Sequence, residues 1–247
     1  MKNNFGNNFS IVNLYKKQSV KSAVDTQLLY GDNFKVLKKN GSWKKIKIKK
    51  DGYVGYIKNR KFSYPINSNF KVNVLKARLF SGPNSKKKLK KFLPYEARVK
   101  IIKKIGRFSK FESYWIRTSD LKKSNFKNKN VFKDVRLFKN IKYLWGGKSF
   151  KGIDCSALVQ IFFNYNNKYC PRDSKDQEKY FRKKVELQNI KKNDMIFWKG
   201  HVAIALSNKK LIHAYGPMKK VVIMNIKKTI ERIYRTANLK VTSIRRI

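Results

Sequence analysis

Three side chains in this sequence could together do thiol chemistry: Cys155 in "GIDCSALVQIFF", His201 in "HVAIAL" and His213 in "LIHAY". The cysteine stands between Asp154 and Ser156, where Ala157, Leu158, Ile161 and Phe162 begin an apolar series at helical spacing. A thiol at a helix mouth faces unpaired backbone N–H groups and the positive end of the helix dipole, which is expected to lower its pKa. A thiolate nucleophile also needs a group that takes and returns a proton. The chain has two histidines in all, and both lie in apolar segments of strand character. They are 12 residues apart with "SNKK" between them as a tight turn, so two adjacent antiparallel strands could set the imidazoles side by side. One would act as general base and acid while the other orients it. A single cysteine on a helix is more often a small packed hydrophobe. The polar flanks of Cys155 and two histidines with no other evident task favour the nucleophile. Cys170, followed by Pro171, has no such context and reads as a structural thiol.

The elements that must position these residues fall into two halves. In "WKKIKIKK" (43–50) Ile46 and Ile48 alternate with lysines, and "DGYVGYIK" (51–58) follows through an Asp-Gly turn, a β-hairpin with one solvated face. The stretch "FKVLKKNGSW" at 34–43 recurs 65 residues later as "VKIIKKIGRF" at 99–108, so the first half is an internal repeat of short strands. Beyond the polar link "KKSNFKNKN" the pattern changes to "YLWGG", then the helix from Cys155 stopped by "NYNN", then apolar strands in "DMIFWKGHVAIAL", "KKLIHAY" and "KKVVIMNI". One helix against a small antiparallel sheet predicts an α+β domain.

Composition bounds the function classes. The chain has 247 residues, 41% of them hydrophobic, enough for real cores. It has no apolar stretch long enough to span a bilayer, and its N-terminal residues lack the apolar centre of a secretory signal, so a cytoplasmic protein without a membrane role is expected. Two cysteines suit a reducing compartment and argue against a disulfide framework. The net charge of +47, from 61 Lys and Arg against 14 Asp and Glu, predicts non-specific polyanion affinity. Neither a helix-turn-helix, nor metal-ligand spacing, nor a ribonucleoprotein motif is present, so specific nucleic-acid readout is not expected.

Two resemblances carry this reading further. "QLLYGDNFKVLKKNGSWKKIKIKKDGYVGYIKN" and the second copy, ending in "YWIRTSDL", resemble bacterial SH3-like domains. "YLWGGKSFKGIDCSALVQ", "PRDS", "NDMIFWKGHVAIAL" and "LIHAYG", in that order, resemble the NlpC/p60 family of papain-like cysteine peptidases. The implied organisation is SH3-like over 8–62, SH3-like over 63–124 and a papain-like α+β catalytic domain over 125–247. The resemblance is closest to γ-D-glutamyl-L-diamino acid endopeptidases, which implies a murein peptide as substrate, no cofactor and no metal; a monomer is expected. It implies Cys155 as nucleophile, His201 as base and His213 as the third polar residue. Tyr143 would assist the oxyanion with the backbone N–H of Cys155. Asp154, Ser156 and Ser174 would line a pocket for the substrate's free amino terminus, to which the first barrel would add Tyr53. The alternatives are a non-catalytic wall-binding or polyanion-binding protein, and a general cell-wall endopeptidase acting outside the cytoplasm.

Overall fold

Alternation of apolar residues with lysine turns the first half of the chain into strands. The computed structural model describes residues 3–247 and divides into two units. One runs to Lys127 and takes in Tyr165–Asn167; the other comprises Asn128–Asn164 and Lys168–Ile247.

In the first unit β1 (Asn4–Gly6), β2 (Ile11–Tyr15), β3 (Val24–Leu29), β4 (Asn33–Asn40), β5 (Trp43–Ile48) and β6 (Val54–Lys58) form one antiparallel sheet in the order β1-β4-β5-β6-β2-β3. Ile46 and Ile48 of β5 point inward onto Val12, Leu14, Phe34 and Val36, while Lys45 and Lys47 point outward, as the alternation predicts. The Asp51–Gly52 turn joins β5 to β6 as a hairpin. The second copy contributes β7 (Phe70–Val72), β8 (Lys76–Phe80), β9 (Lys88–Pro94), β10 (Arg98–Val99), β11 (Lys103–Ile105), β12 (Phe108–Phe111), β13 (Tyr114–Arg117) and β14 (Leu121–Lys123). These make sheets β11-β12-β13-β8-β9 and β10-β7-β14 around Val72, Leu79, Leu93, Val99 and Ile116. The repeat is not literal. "FKVLKKN" lies within one strand, β4, whereas its counterpart crosses from one sheet to the other between β10 and β11, with Ile101 buried at the crossing.

The two copies meet at a buried charge cluster. The Lys50 ammonium lies 2.6 Å from Asp32 of the first copy and 2.8 Å from Glu96 of the second, and Arg98 Nε is 3.3 Å from Glu96. Glu96 is fully buried and holds a left-handed backbone, φ +73°. Beside it, Arg98 N–H donates to Tyr30 C=O at 2.8 Å. Gly31, at φ +87°, comes so close that an added Cβ would lie 2.1 Å from the Arg98 carbonyl oxygen. Lys50→Met leaves two buried carboxylates without their shared cation, and the expected loss is about 3 kcal/mol of stability, measured by urea unfolding. A loss below about 1 kcal/mol would mean that water already solvates the cluster.

The second unit builds the part of the chain that carries the thiol. The short β15 (Lys148–Ser149) and β16 (Gly152–Ile153) form a hairpin that feeds α1 (Cys155–Tyr165); α2 (Ser174–Tyr180) follows. A six-stranded antiparallel sheet then combines β17 (Lys183–Lys184), β18 (Met195–Trp198), β19 (His201–Ala205), β20 (Lys210–Tyr215), β21 (Lys220–Asn225) and β22 (Val241–Arg246) in the order β17-β22-β18-β19-β20-β21. Helix α3 (Ile226–Ala237) starts where the Asn225 side chain accepts from Lys228 N–H and ends at Asn238, whose left-handed backbone stops it. Its Ile226 and Ile233 pack into a core with Ile196, Trp198, Leu211 and Ile244. Among the described residues no helix is long and apolar enough to cross a membrane.

Candidate active site

The strand register brings the histidines together. β19 and β20 pair antiparallel with Ile204 opposite Ile212 and Ala205 opposite Leu211, and continuing that register puts His213 diagonally across from His201 on the same face. His201 Nε2 and His213 Nδ1 are 2.9 Å apart. His213 is fully buried, stacks on Tyr215 with centroids 4.7 Å apart, and has its Nε2 3.4 Å from the Met224 sulfur. With Nε2 of His201 engaged by His213, Nδ1 is the nitrogen left to accept a proton. A base role for Nδ1 goes with one tautomer pair: His201 donating from Nε2 to His213 Nδ1, and His213 donating from Nε2 towards Met224.

The thiol sits against the same segment. Cys155 is the first residue of α1 and is buried, with Sγ 4.0 Å from the Gly200 carbonyl oxygen and the Val202 and Ser156 backbone N–H groups directed at it. The backbone on both sides of His201 therefore flanks the sulfur. The lowered thiol pKa expected from the helix mouth is not what this site produces. Burial, and then the adjacent Asp154 carboxylate, push the thiol up to about 12 against the opposing pull of those N–H groups. Burial likewise pushes the His201 imidazole down to about 4 and His213 well below its ordinary value, His213 also through its neighbour His201. At neutral pH the site thus holds a neutral thiol and a neutral imidazole, so a thiolate–imidazolium pair would have to form by proton transfer within the site.

This changes the expected pH response. Activity is lost on the acid side only when His201 becomes protonated, so the acid limb of kcat/KM belongs near pH 4 to 5, with a plateau through roughly pH 6 to 8. A pH profile of kcat/KM measures it. An acid limb centred near pH 6.5 would mean that His201 is solvated like an ordinary histidine.

Asp154 has a different surrounding from the one its sequence context suggested. Arg172 grips it bidentately, Nη2 to Oδ2 at 2.6 Å and Nη1 to Oδ1 at 3.1 Å. Gly146 N–H donates to Oδ2 at 2.9 Å, and Ala157 N–H to Oδ1 at 2.8 Å, which caps α1. Ser156 Oγ donates to Oδ1 at 3.3 Å and accepts from Arg172 Nη1 at 2.8 Å. The carboxylate is neutralised and its lone pairs are used. The paired glycines of "YLWGG" make the approach possible: a Cβ on Gly147 would lie 2.5 Å from the Gly152 carbonyl oxygen.

Tyr143 forms a bridge with Ile153, two residues before the thiol, and burial, then the neighbouring Cys155 and Asp154, raise its pKa, so its hydroxyl stays protonated and able to donate. Ser174 opens α2, two residues past Arg172, and is half-buried. Tyr53 belongs to the first unit, where it packs half-buried on the barrel core and its N–H is accepted by Asp51 Oδ1 at 3.0 Å. Cys170 is buried and forms no disulfide, with its sulfur 3.5 Å from the Pro171 carbonyl oxygen. The structure thus sets Cys155 beside the His201 segment and His201 beside His213, and adds Arg172 and Met224, which the sequence reading had not singled out. A buried acid needs a partner, and "PRDS" supplied it.

Comparison with known proteins agrees with this arrangement. The model of the NlpC/P60 family matches residues 140–238, and that of the bacterial dipeptidyl-peptidase SH3 domain matches residues 14–62. A γ-D-glutamyl-L-lysine dipeptidyl-peptidase of Bacillus subtilis is 27% identical over 234 residues, covering 85% of this chain and 78% of the relative. One from Bacillus cereus is 24% identical, covering 81% and 70%. The crystal structure of an NlpC/P60 family protein from Bacillus cereus superposes with a TM-score of 0.83 over 98% of this chain and 99% of that one, at 19% identity.

Proposed function

From the premise that this chain is an NlpC/P60 cysteine peptidase with a bacterial SH3 domain on its N-terminal side, we propose that it hydrolyses the γ-D-glutamyl–diamino acid bond of short murein peptides that carry a free amino terminus. The observation that carries the chemistry is the buried thiol flanked by the His201 backbone, with His201 linked to His213 at 2.9 Å.

In the proposed cycle, the Cys155 proton passes to Nδ1 of His201 as the sulfur attacks the γ-carbonyl carbon. The charge that develops on the carbonyl oxygen is met by the Cys155 backbone N–H and the Tyr143 hydroxyl. The His201 imidazolium, held in place by His213, protonates the departing amine as the C–N bond breaks, leaving a thioester. Water, deprotonated by His201, then attacks the thioester and releases the γ-carboxylate and the thiol.

The preference for a free amino terminus is the finer part of this reading. It is supported by the names of the two Bacillus relatives, both dipeptidyl-peptidases, since releasing an N-terminal dipeptide calls for a pocket that ends at the substrate's ammonium. Asp154, Ser156 and Ser174 are its proposed lining. Asp154, whose oxygens already accept from Arg172, Gly146, Ala157 and Ser156, would act on the ammonium through its charge and its hold on Ser156 and not through a direct hydrogen bond, so its contribution is weaker than that of a lone carboxylate. Such a dipeptide-releasing enzyme suits recycling of already shortened peptides in the cytoplasm.

The test is direct. Purified protein is incubated with L-Ala-γ-D-Glu-L-Lys and its diaminopimelate counterpart, each free and N-acetylated, and products are identified by mass. Release of L-Ala-γ-D-Glu is expected from the free peptides, with N-acetylation lowering kcat/KM roughly 10- to 150-fold. Equal rates on free and acetylated peptides would remove the amino-terminal pocket and leave a general murein endopeptidase.

A further inference from the structure

We propose that the outer face of the sheet β4-β5-β6-β2 is a sequence-tolerant binding platform for single-stranded nucleic acid. These four strands contain seven lysines and no aspartate or glutamate. Lysines also stand directly opposite one another: Lys35 faces Lys47, and Lys38 faces Lys45, across the β4–β5 pair. Like charges in opposed positions destabilise a sheet, and no carboxylate in these strands relieves them. Lys35, Lys38 and Lys47 are exposed and Lys45 is half-exposed, so a bound anion reaches all four. Spacings of about 7 Å along a strand and about 5 Å across strands present the ammonium groups to a flexible chain of phosphodiesters.

Charge alone does not distinguish this face in a protein of net charge +47. The aromatic residues do. Beside the lysine block, Trp43, Tyr56 and Tyr15 share the outward face of β5, β6 and β2: Trp43 stands opposite Lys58, Lys45 opposite Tyr56, and Tyr15 opposite Tyr56. The three are half-exposed and lie outside the barrel's buried cluster. Tyr15 and Trp43 meet edge to face at 5.5 Å, and the Lys45 and Lys58 ammonium groups lie 5.9 Å over Tyr56 and Trp43. Half-exposed rings next to a cationic row match a ligand with both phosphates and planar rings, so that bases stack while phosphates meet lysines. A ring-free polyanion would use the lysines and leave the aromatics idle.

The experiment uses the full chain and fluorescence anisotropy with a labelled oligothymidylate of about 20 nucleotides, an abasic oligomer of equal charge, and inorganic polyphosphate. The combined Lys35→Gln, Lys38→Gln, Lys45→Gln and Lys47→Gln variant is expected to weaken oligothymidylate binding at least 10-fold at about 0.1 M salt and to reduce the salt slope by about 3. A control with four exposed lysines of the other unit replaced (Lys175, Lys192, Lys209 and Lys227 to Gln) is expected to lose less than about 3-fold. Trp43→Ala is expected to cost about 5-fold or more on oligothymidylate and to leave polyphosphate binding unchanged, with melting curves confirming that each variant is folded. Equal losses in the two lysine variants would reduce the effect to overall charge and overturn the site. Polyphosphate or the abasic oligomer binding as tightly as oligothymidylate would overturn the nucleic-acid assignment.

Discussion

Cys155→Ala abolishes peptide hydrolysis while leaving the fold and melting temperature close to those of the parent, an expected loss in kcat of at least about 10⁴-fold. The side chain is buried at the start of α1 and is small, so removing its sulfur opens little space and breaks no strong hydrogen bond, its contact to the Gly200 carbonyl oxygen being 4.0 Å long. What disappears is the atom that would become bonded to the acyl group. Cys155→Ser keeps a hydroxyl but not a sulfur's nucleophilicity and should be nearly as inactive. Cys170→Ala, on a buried thiol directed at the Pro171 carbonyl oxygen, should retain activity. Turnover and circular dichroism of the three variants decide the matter, and near-normal turnover by Cys155→Ala would sink the thiol mechanism.

His201→Ala is the second large effect, with kcat expected to fall by roughly 10²- to 10⁴-fold, because the thiol then has no base within a site where water is scarce. The thiol is itself held neutral by burial, so without His201 the nucleophile remains protonated at working pH. In the proposed cycle His213 acts on the orientation of His201 and not on the reacting atoms. His213→Asn, whose carbonyl can still accept from His201 Nε2–H, should keep activity within about 10-fold, and His213→Ala should fall between the two. Met224→Leu, removing only the weak sulfur acceptor at the far end of the chain, should cost less than either His213 variant. Comparable losses in His201→Ala and His213→Ala would reverse the assignment of roles.

The proposed reacting residues were legible because their types are scarce. With two histidines and two cysteines in the chain, each demands an explanation, and apolar periodicity placed Cys155 at a helix start and both histidines on strands. Arg172 was hidden for the opposite reason. Among 61 basic residues one more arginine carries no signal until a buried carboxylate is found beside it. The direction of the thiol's pKa was also illegible, since it depends on how deeply α1's first turn is buried, and helix-end electrostatics alone point the wrong way. Helix α3 escaped because "KKVVIMNIKKTIERI" runs from strand into helix without a glycine or proline, and only the Asn225 cap marks the change. The basic strand β22 has too few apolar residues to announce itself, yet it sits inside the sheet between β17 and β18.

A duplicated sequence usually suggests two interchangeable modules. The charge cluster between the copies says otherwise: Lys50 and Asp32 belong to one repeat, Glu96 and Arg98 to the other, and the Lys50 ammonium bridges a carboxylate from each. If one barrel opened by itself, the fully buried Glu96 would lose the cation it shares with Asp32, while the Gly31–Arg98 backbone contact would come apart. The two barrels therefore gain more by melting together than separately, and form one cooperative folding unit despite their origin as a repeat. Exchange of a single barrel between homologues is constrained accordingly, because an incoming barrel must bring its own half of the cluster.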